Sequence, residues 1–275
     1  MNKIYCSTGV MVGRINNNDY TLITKHFPLL KEKCLIHGGE FMFANSFYDK
    51  LDKIENELSK IPVPFDIIHF DKEIGIMLSE ADNSVSSKAI KLFEENCDFA
   101  QRIGAKKAVF HLWGGLKSDS NIDYNISLLP FLIDITKKYG IELLIENIPC
   151  TVNSGLEIWR RLYKFLPDIG FIFDTRFGAF HDEIEQTFNE PIWEYVKHVH
   201  ISDYSSYPRD FSKIRPILHP NEGVIDFEKL FKNFKKVKYT NSFTLESPVF
   251  DEAGPNINKL ESTLDYIKRK IESHD

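Results

Sequence analysis

Short apolar runs alternate with amphipathic stretches along the whole chain. Eight runs have the length of buried strands: residues 3–9, 34–43, 65–71, 106–112, 141–147, 170–175, 197–202 and 242–247. The stretches between them carry a helical period instead. Phe47, Leu51, Ile54 and Leu58 recur at steps of three and four within 46–60. Ile90, Phe93, Phe99 and Ile103 stand among charges in 84–103, and Ile126, Leu129, Ile133 and Ile135 in 121–139. Ile257, Leu260, Leu264, Ile267 and Ile271 mark a last helix. Ser154-Gly155-Leu156-Glu157 reads as a capping box, and Asp226 as the cap of a helix carrying Phe227, Leu230, Phe231 and Phe234. The unit is a strand followed by a helix, the crossover that parallel strands require. Eight units predict the α/β class and a (β/α)8 TIM barrel, one domain over residues 1–275. The rival architecture, a doubly wound open sheet, usually places a glycine-rich phosphate loop after its first strand. Residues 7–13 carry only Gly9 and Gly13 and no GxGxxG.

Four of the apolar runs end in a residue that binds metals: IELLIE at Glu146, GFIFD at Asp174, VKHVH at His200 and SFTLE at Glu246. A buried carboxylate without a partner is costly, so four such endings point to strands whose C-terminal ends converge on a cation. The mixed oxygen and nitrogen set suits Zn²⁺ or Mn²⁺, with Co²⁺ or Mg²⁺ also compatible. His69 ends FDIIH and His111 ends KKAVFH, again at strand ends. They are candidates for a second metal or for hydrogen bonds to substrate hydroxyls. His37 lies mid-run in CLIHGGEF, and Glu40 further along is a candidate for the barrel mouth. His181, Asp182 and Glu183 follow the sixth strand and His219 lies in a Pro/Asn/Gly loop. Arg176, Arg209 and Arg215 offer cations for an anionic group. Trp113 and Phe177 offer aromatic walls for a sugar face, beside the ordinary packing role of such rings.

Bulk properties narrow the function. A chain of 275 residues with 43% hydrophobic content can bury one large core. Its net charge of −6, with Lys and Arg scattered, argues against a nucleic-acid surface. The cluster Lys235, Lys236 and Lys238 reads as a solvated helix end. Cys6, Cys34, Cys97 and Cys150 are widely spaced, which suggests free thiols and a reducing compartment. Neither a signal peptide nor a membrane-length apolar run is present, so a cytoplasmic location is expected. No GxSxG elbow and no Walker loop occurs. The expected partner is a small molecule, and a homo-oligomer is compatible with these features.

The motifs IENIP (145–149), FDTRFG (173–178), HVHISD (198–203), NEGVIDF (221–227) and LES (245–247) together resemble the xylose isomerase-like TIM-barrel superfamily. That group includes sugar phosphate isomerases and epimerases, inosose-processing enzymes and the endonuclease IV family. The resemblance runs from Tyr5 to about Ile267. It implies that Glu146, Asp174, His200 and Glu246 are the metal ligands and that Glu146 and Glu246 also move protons beside a carbonyl. It further implies a carbohydrate substrate, and His69, His111, Trp113, His181 and Arg209 are the candidates from the residues themselves for substrate binding or a second metal. The chain departs from the family pattern at Phe177, where many members carry a histidine, and an Asn stands first in the family's Gly-Glu-Gly turn at Asn221-Glu222-Gly223. Asn tolerates left-handed backbone, so the turn is expected to persist. The endonuclease branch would use His69 and His111, but its Asp-x-His pair after the seventh strand is replaced by Arg215-Pro216-Ile217 and a displaced His219. Three reactions therefore stand in order: sugar isomerisation or epimerisation, cleavage of abasic DNA, and inosose dehydratase-like loss of water. The loops 10–20, 72–84, 113–122, 176–190 and 204–222 are expected to set specificity.

Overall fold

The computed structural model describes residues 2–251 and 254–273. Eight parallel strands close into a barrel: β1 (Lys3–Ser7), β2 (Gly38–Met42), β3 (Ile67–His69), β4 (Lys107–Phe110), β5 (Glu142–Glu146), β6 (Gly170–Asp174), β7 (Val196–Ile201) and β8 (Ser242–Leu245), which pairs back with β1. The predicted (β/α)8 class and the order of its strands are therefore observed. Strand alternation sends one set of side chains outward against the helices and the other inward. Tyr5, Ile67, Val109, Leu144 and Ile172 form a separate apolar cluster in the barrel interior. Polar side chains two residues further along several strands lie above it, which makes the upper interior the place for chemistry.

The helices explain themselves locally. α1 spans Thr21–Glu32, α2 Leu51–Leu58 and α3 Lys72–Leu78. α4 spans Asn83–Arg102, α5 Ile122–Lys138 and α6 Gly155–Phe165. α7 spans Thr175–His181, α8 Ile184–Phe188, α9 Phe227–Lys236 and α10 Ile257–Glu272. Asp82 caps α4 through the Ser84 and Val85 amides, and Asp226 caps α9 through Lys229 N–H. Ser154 Oγ accepts from Glu157 N–H, as the sequence predicts, but the carboxylate that meets Ser154 is Glu183 from the adjoining unit. No helix among the described residues is long and apolar enough to cross a membrane. The four thiols are free, with only Cys34 exposed.

Two predicted loops contain helices. Residues 72–84 hold α3, started by Asp71 accepting from Glu73 N–H, and 176–190 hold most of α7 and α8. Each is at most seven residues long, too short to display a 3.6-residue period. α3 sits hard against the end of β4. A Cβ on Gly75 would lie 2.0 Å from His111 O, so only glycine admits this approach. β2 starts at Gly38 rather than within 34–37, because Cys34 is left-handed (φ 55°) and ends the turn after α1. His37 accordingly lies below the strand, its Nδ1 accepting from Ile4 N–H.

Candidate metal centre

Paired motifs lock the strand ends that present the site. Asn147 of IENIP exchanges two hydrogen bonds with β6: Asp174 N–H donates to Asn147 Oδ1 (2.7 Å), and Asn147 Nδ2 donates to Asp174 O (3.2 Å). Thr175 of FDTRFG likewise bonds Ser202 O (2.6 Å) and accepts from Ser202 N–H (3.1 Å), tying β6 to β7. Asp203 gathers the amides of Tyr204, Gly223 and Ile225 at 2.7–3.0 Å and so fixes the NEGVIDF turn. A Cβ on Gly223 would fall 2.1 Å from Tyr204 O. Asn221 is left-handed (φ 71°), as its residue type allows.

On this frame the four strand-end residues meet. One ligand atom from each of Glu146, Asp174, His200 and Glu246 lies within 4.8 Å of the others. His200 Nδ1 is 2.7 Å from Glu146 Oε1 and 3.4 Å from Glu246 Oε2. Asp174 spends Oδ1 on capping α7 through Phe177 N–H (2.9 Å) and leaves Oδ2 buried without a hydrogen-bond partner. Glu146 Oε2 and Glu246 Oε1 are unpartnered as well. A second group joins His69 and His111 to the same Glu146. His69 Nδ1 donates to Phe70 O (2.9 Å), which leaves its Nε2 facing Glu146 Oε2 at 3.6 Å. His111 Nε2 is 2.5 Å from the same oxygen, without hydrogen-bond alignment.

Glu40 departs from the position its sequence suggests. It lies not at the mouth but wholly buried beneath His200, with Oε2 3.2 Å from His200 Nε2 and 3.0 Å from His198 Nε2. His198 and Thr244 complete that layer and were missed from the sequence. The available signal was strand alternation, since each stands two residues before a ligand on the same inward face.

The four carboxylates of the site, Glu40, Glu146, Asp174 and Glu246, are all buried, and among the described residues the one buried Lys or Arg is Arg176, beside Asp174. Arg176 Nη2 is 4.0 Å from Asp174 Oδ2, Nη1 donates to Ile214 O (2.9 Å), and the guanidinium stacks on Phe177. Burial alone would discharge His200, but Glu246, Glu40 and Glu146 outweigh it and hold its pKa well above the ordinary imidazole value. Asp174 moves up to about 7, through burial first and then Glu146 and Glu246, against Arg176. His111 is held neutral, down to about 3, by burial. Orphaned oxygens and surplus acid in a dry site fit a divalent cation held by Glu146, Asp174, His200 and Glu246. Loading such an ion at pH 7 is expected to release protons from His200 and partly from Asp174. Affinity should fall as pH drops below about 7. Calorimetry in buffers of different ionisation heat measures this, and a proton count of zero would refute it.

The remaining predicted residues lie around the centre rather than in it. Trp113 is fully buried and its indole donates to Pro149 O (3.2 Å). His181 folds back and accepts from Cys150 N–H (3.2 Å), and its pKa is down to about 4 through burial and then Arg209. Arg209 is exposed on the rim and donates to Asn153 O (3.3 Å). His219 is committed to Thr263 Oγ1 and Pro248 O and belongs to neither ligand group.

The sequence also concealed Asp119. It is 1% exposed and accepts from the amides of Thr151, Val152 and Asn153 at 2.6–3.0 Å, holding the loop that follows β5. Burial opposes its charge, but these donors prevail and keep its carboxyl well below the usual range. Its contribution to stability is therefore complete above the unfolded carboxylate value and lost as pH falls through the folded one. Asp119→Asn is expected to cost about 2–3 kcal/mol at pH 7 and to raise hydrogen exchange at residues 151–153. An unchanged melting curve would contradict this.

A family profile described as "Xylose isomerase-like TIM barrel" matches residues 33–270. An uncharacterized protein of Methanocaldococcus jannaschii is 26% identical over 171 residues, 58% of this chain and 55% of that one. An inosose isomerase of Bacillus licheniformis is 22% identical over 130 residues, 44% of this chain and 45% of that one. The chain thus spans about half the length of these curated relatives. Solved structures of like fold include a D-tagatose 3-epimerase-like protein (TM-score 0.70, 18% identity, 98% and 97% covered). Another is the 3-keto-D-glucoside 4-epimerase of E. coli (0.68, 16%, 98% and 99%). A third is the IOLI protein with a bound zinc atom (0.67, 18%, 98% and 96%).

Proposed function

The chain belongs to the xylose isomerase-like TIM barrel family, and from that premise we propose that it is a divalent-metal-dependent isomerase or epimerase. Its substrate is a small sugar, keto-sugar or polyol-derived compound. The observation that carries this reading is the pair of glutamates at one imidazole nitrogen. Glu146 from β5 and Glu246 after β8 arrive from either side of the β6–β7 pair, each with an unpartnered oxygen. A divalent cation, Zn²⁺ or Mn²⁺ foremost, would polarise a substrate carbonyl and offset the charge that develops on oxygen. One glutamate then takes the proton alpha to the carbonyl, and the other returns a proton on the opposite face or at the neighbouring carbon. Burial of both carboxylates excludes competing water. The relatives named as epimerases and an inosose isomerase support the same reaction class.

The test is metal-replete protein incubated in D₂O with ketoses, aldoses and inososes and followed by NMR. An isomer carrying deuterium at the exchanged carbon is expected, and Glu246→Gln should abolish it. Loss of water from the substrate instead would replace the isomerase by a lyase. A second reading rests on His69, His111 and Glu146, three unpartnered ligand atoms beside the first group. It is cleavage of abasic DNA by an endonuclease IV-like phosphodiesterase, and nicking of an abasic duplex under the same conditions would select it.

A further inference from the structure

We propose that Glu40 is a positioning residue: it holds the His200 imidazole with its proton on Nε2 and so leaves Nδ1 as the nitrogen that takes the metal. The inference rests on the metal-dependent reading above and adds a part of the machinery below the ligands.

An ionised carboxylate can only accept, and Glu40 Oε2 has three neighbours: His200 Nε2 at 3.2 Å, His198 Nε2 at 3.0 Å and Thr244 Oγ1 at 2.9 Å. Each must therefore offer a proton to avoid a lone-pair clash in a site with no exposed surface. Thr244 donates its hydroxyl hydrogen to Glu40. His198 presents Nε2–H, because its other nitrogen, Nδ1, can accept from Ser242 Oγ at 2.7 Å. With those two places taken, His200 has one arrangement that suits Glu40, with hydrogen on Nε2. The opposite nitrogen then faces Glu146 Oε1 and Glu246 Oε2. A neutral imidazole so arranged points a bare Nδ1 at the two glutamates, the geometry that a cation between them satisfies. Register reinforces it: His200 pairs with Thr244 and His198 with Ser242 across β7 and β8, so the hydroxyls and imidazoles cannot slide past one another. Carboxylates behind metal-binding histidines fix tautomer and raise ligand basicity in this way.

Glu40→Gln keeps the shape but replaces one acceptor oxygen by an N–H₂ donor, so His200 is free to place its proton on Nδ1 and block the ion. Zn²⁺ affinity, measured by competition with a chromophoric chelator, is expected to weaken about 10–100-fold. Long-range ¹⁵N–¹H spectra of wild-type protein loaded with Zn²⁺ should show His200 protonated on Nε2. Thr244→Val leaves the Glu40–His200 contact and should weaken Zn²⁺ less than Glu40→Gln does. If Glu40→Gln does not fold, the wild-type spectrum still decides. Nδ1–H in the Zn²⁺-loaded protein overturns the inference, and so does undiminished affinity in a folded Glu40→Gln. Wild-type protein that takes up no Zn²⁺ overturns the metal-dependent reading itself, a result distinct from either.

Discussion

Glu146→Ala is expected to leave a folded barrel that neither retains a divalent ion nor turns over substrate. Glu146 is the side chain on which both ligand groups converge. Its Oε1 meets His200 and its Oε2 meets His111 and, more distantly, His69. On the proposed function, truncation deletes a metal ligand and a proton carrier together. Loss of the proton carrier alone is worth roughly 10²–10⁴-fold in rate. Thermal melts supply the second readout, since an ion that binds only the folded state raises its stability. Added Zn²⁺ should raise the melting temperature of the wild type and leave Glu146→Ala unmoved. Glu146→Gln separates the roles: the amide preserves shape and a weak ligand oxygen but cannot carry the proton. Turnover in either variant near the wild-type rate would defeat the assignment.

His200→Ala should show the opposite side of the balance, in metal-free protein. The wild-type imidazolium offsets Glu246, Glu40 and Glu146, all buried. Its removal strands those carboxylates, and breaking a buried pair in this way costs about 3–5 kcal/mol. The folded pKa of His200 lies above its unfolded value. Its contribution is therefore fully present below the unfolded imidazole value, and it fades as pH rises through the folded one. The stability gap between wild type and His200→Ala should accordingly be widest in mild acid and narrow in base. Urea titrations across that range measure it. A gap that widens with rising pH would show that His200 is neutral in the metal-free barrel.

The residues that were legible in the sequence are those whose environment is written locally. Glu146, Asp174, His200 and Glu246 each end an apolar run, and a strand end is visible in one dimension. The long helices α4, α5 and α10 were legible to within a residue or two, because their apolar stripes repeat over several turns. What escaped depends on distant partners. Asp119 is one acid in a loop until the amides of residues 151–153 fold over it. The depth of Glu40 in the barrel is not written in one dimension, because it is set by the registers of β2 on β1, β1 on β8 and β8 on β7. The Trp113 indole N–H is engaged with Pro149 O and His181 Nε2 with Cys150 N–H, contacts that only the packed loops create. The family motifs carry this information indirectly: Asn147, Thr175 and Asp203 are there to hold strand ends and turns in register.

The most direct test is to count divalent ions per chain by elemental analysis after Zn²⁺ or Mn²⁺ loading and exhaustive dialysis. One tightly held ion is expected in the wild type, still present in His69→Ala and His111→Ala and absent from Glu146→Ala and His200→Ala. A wild-type chain that retains no ion, or an ion that survives both Glu146→Ala and His200→Ala, would contradict it.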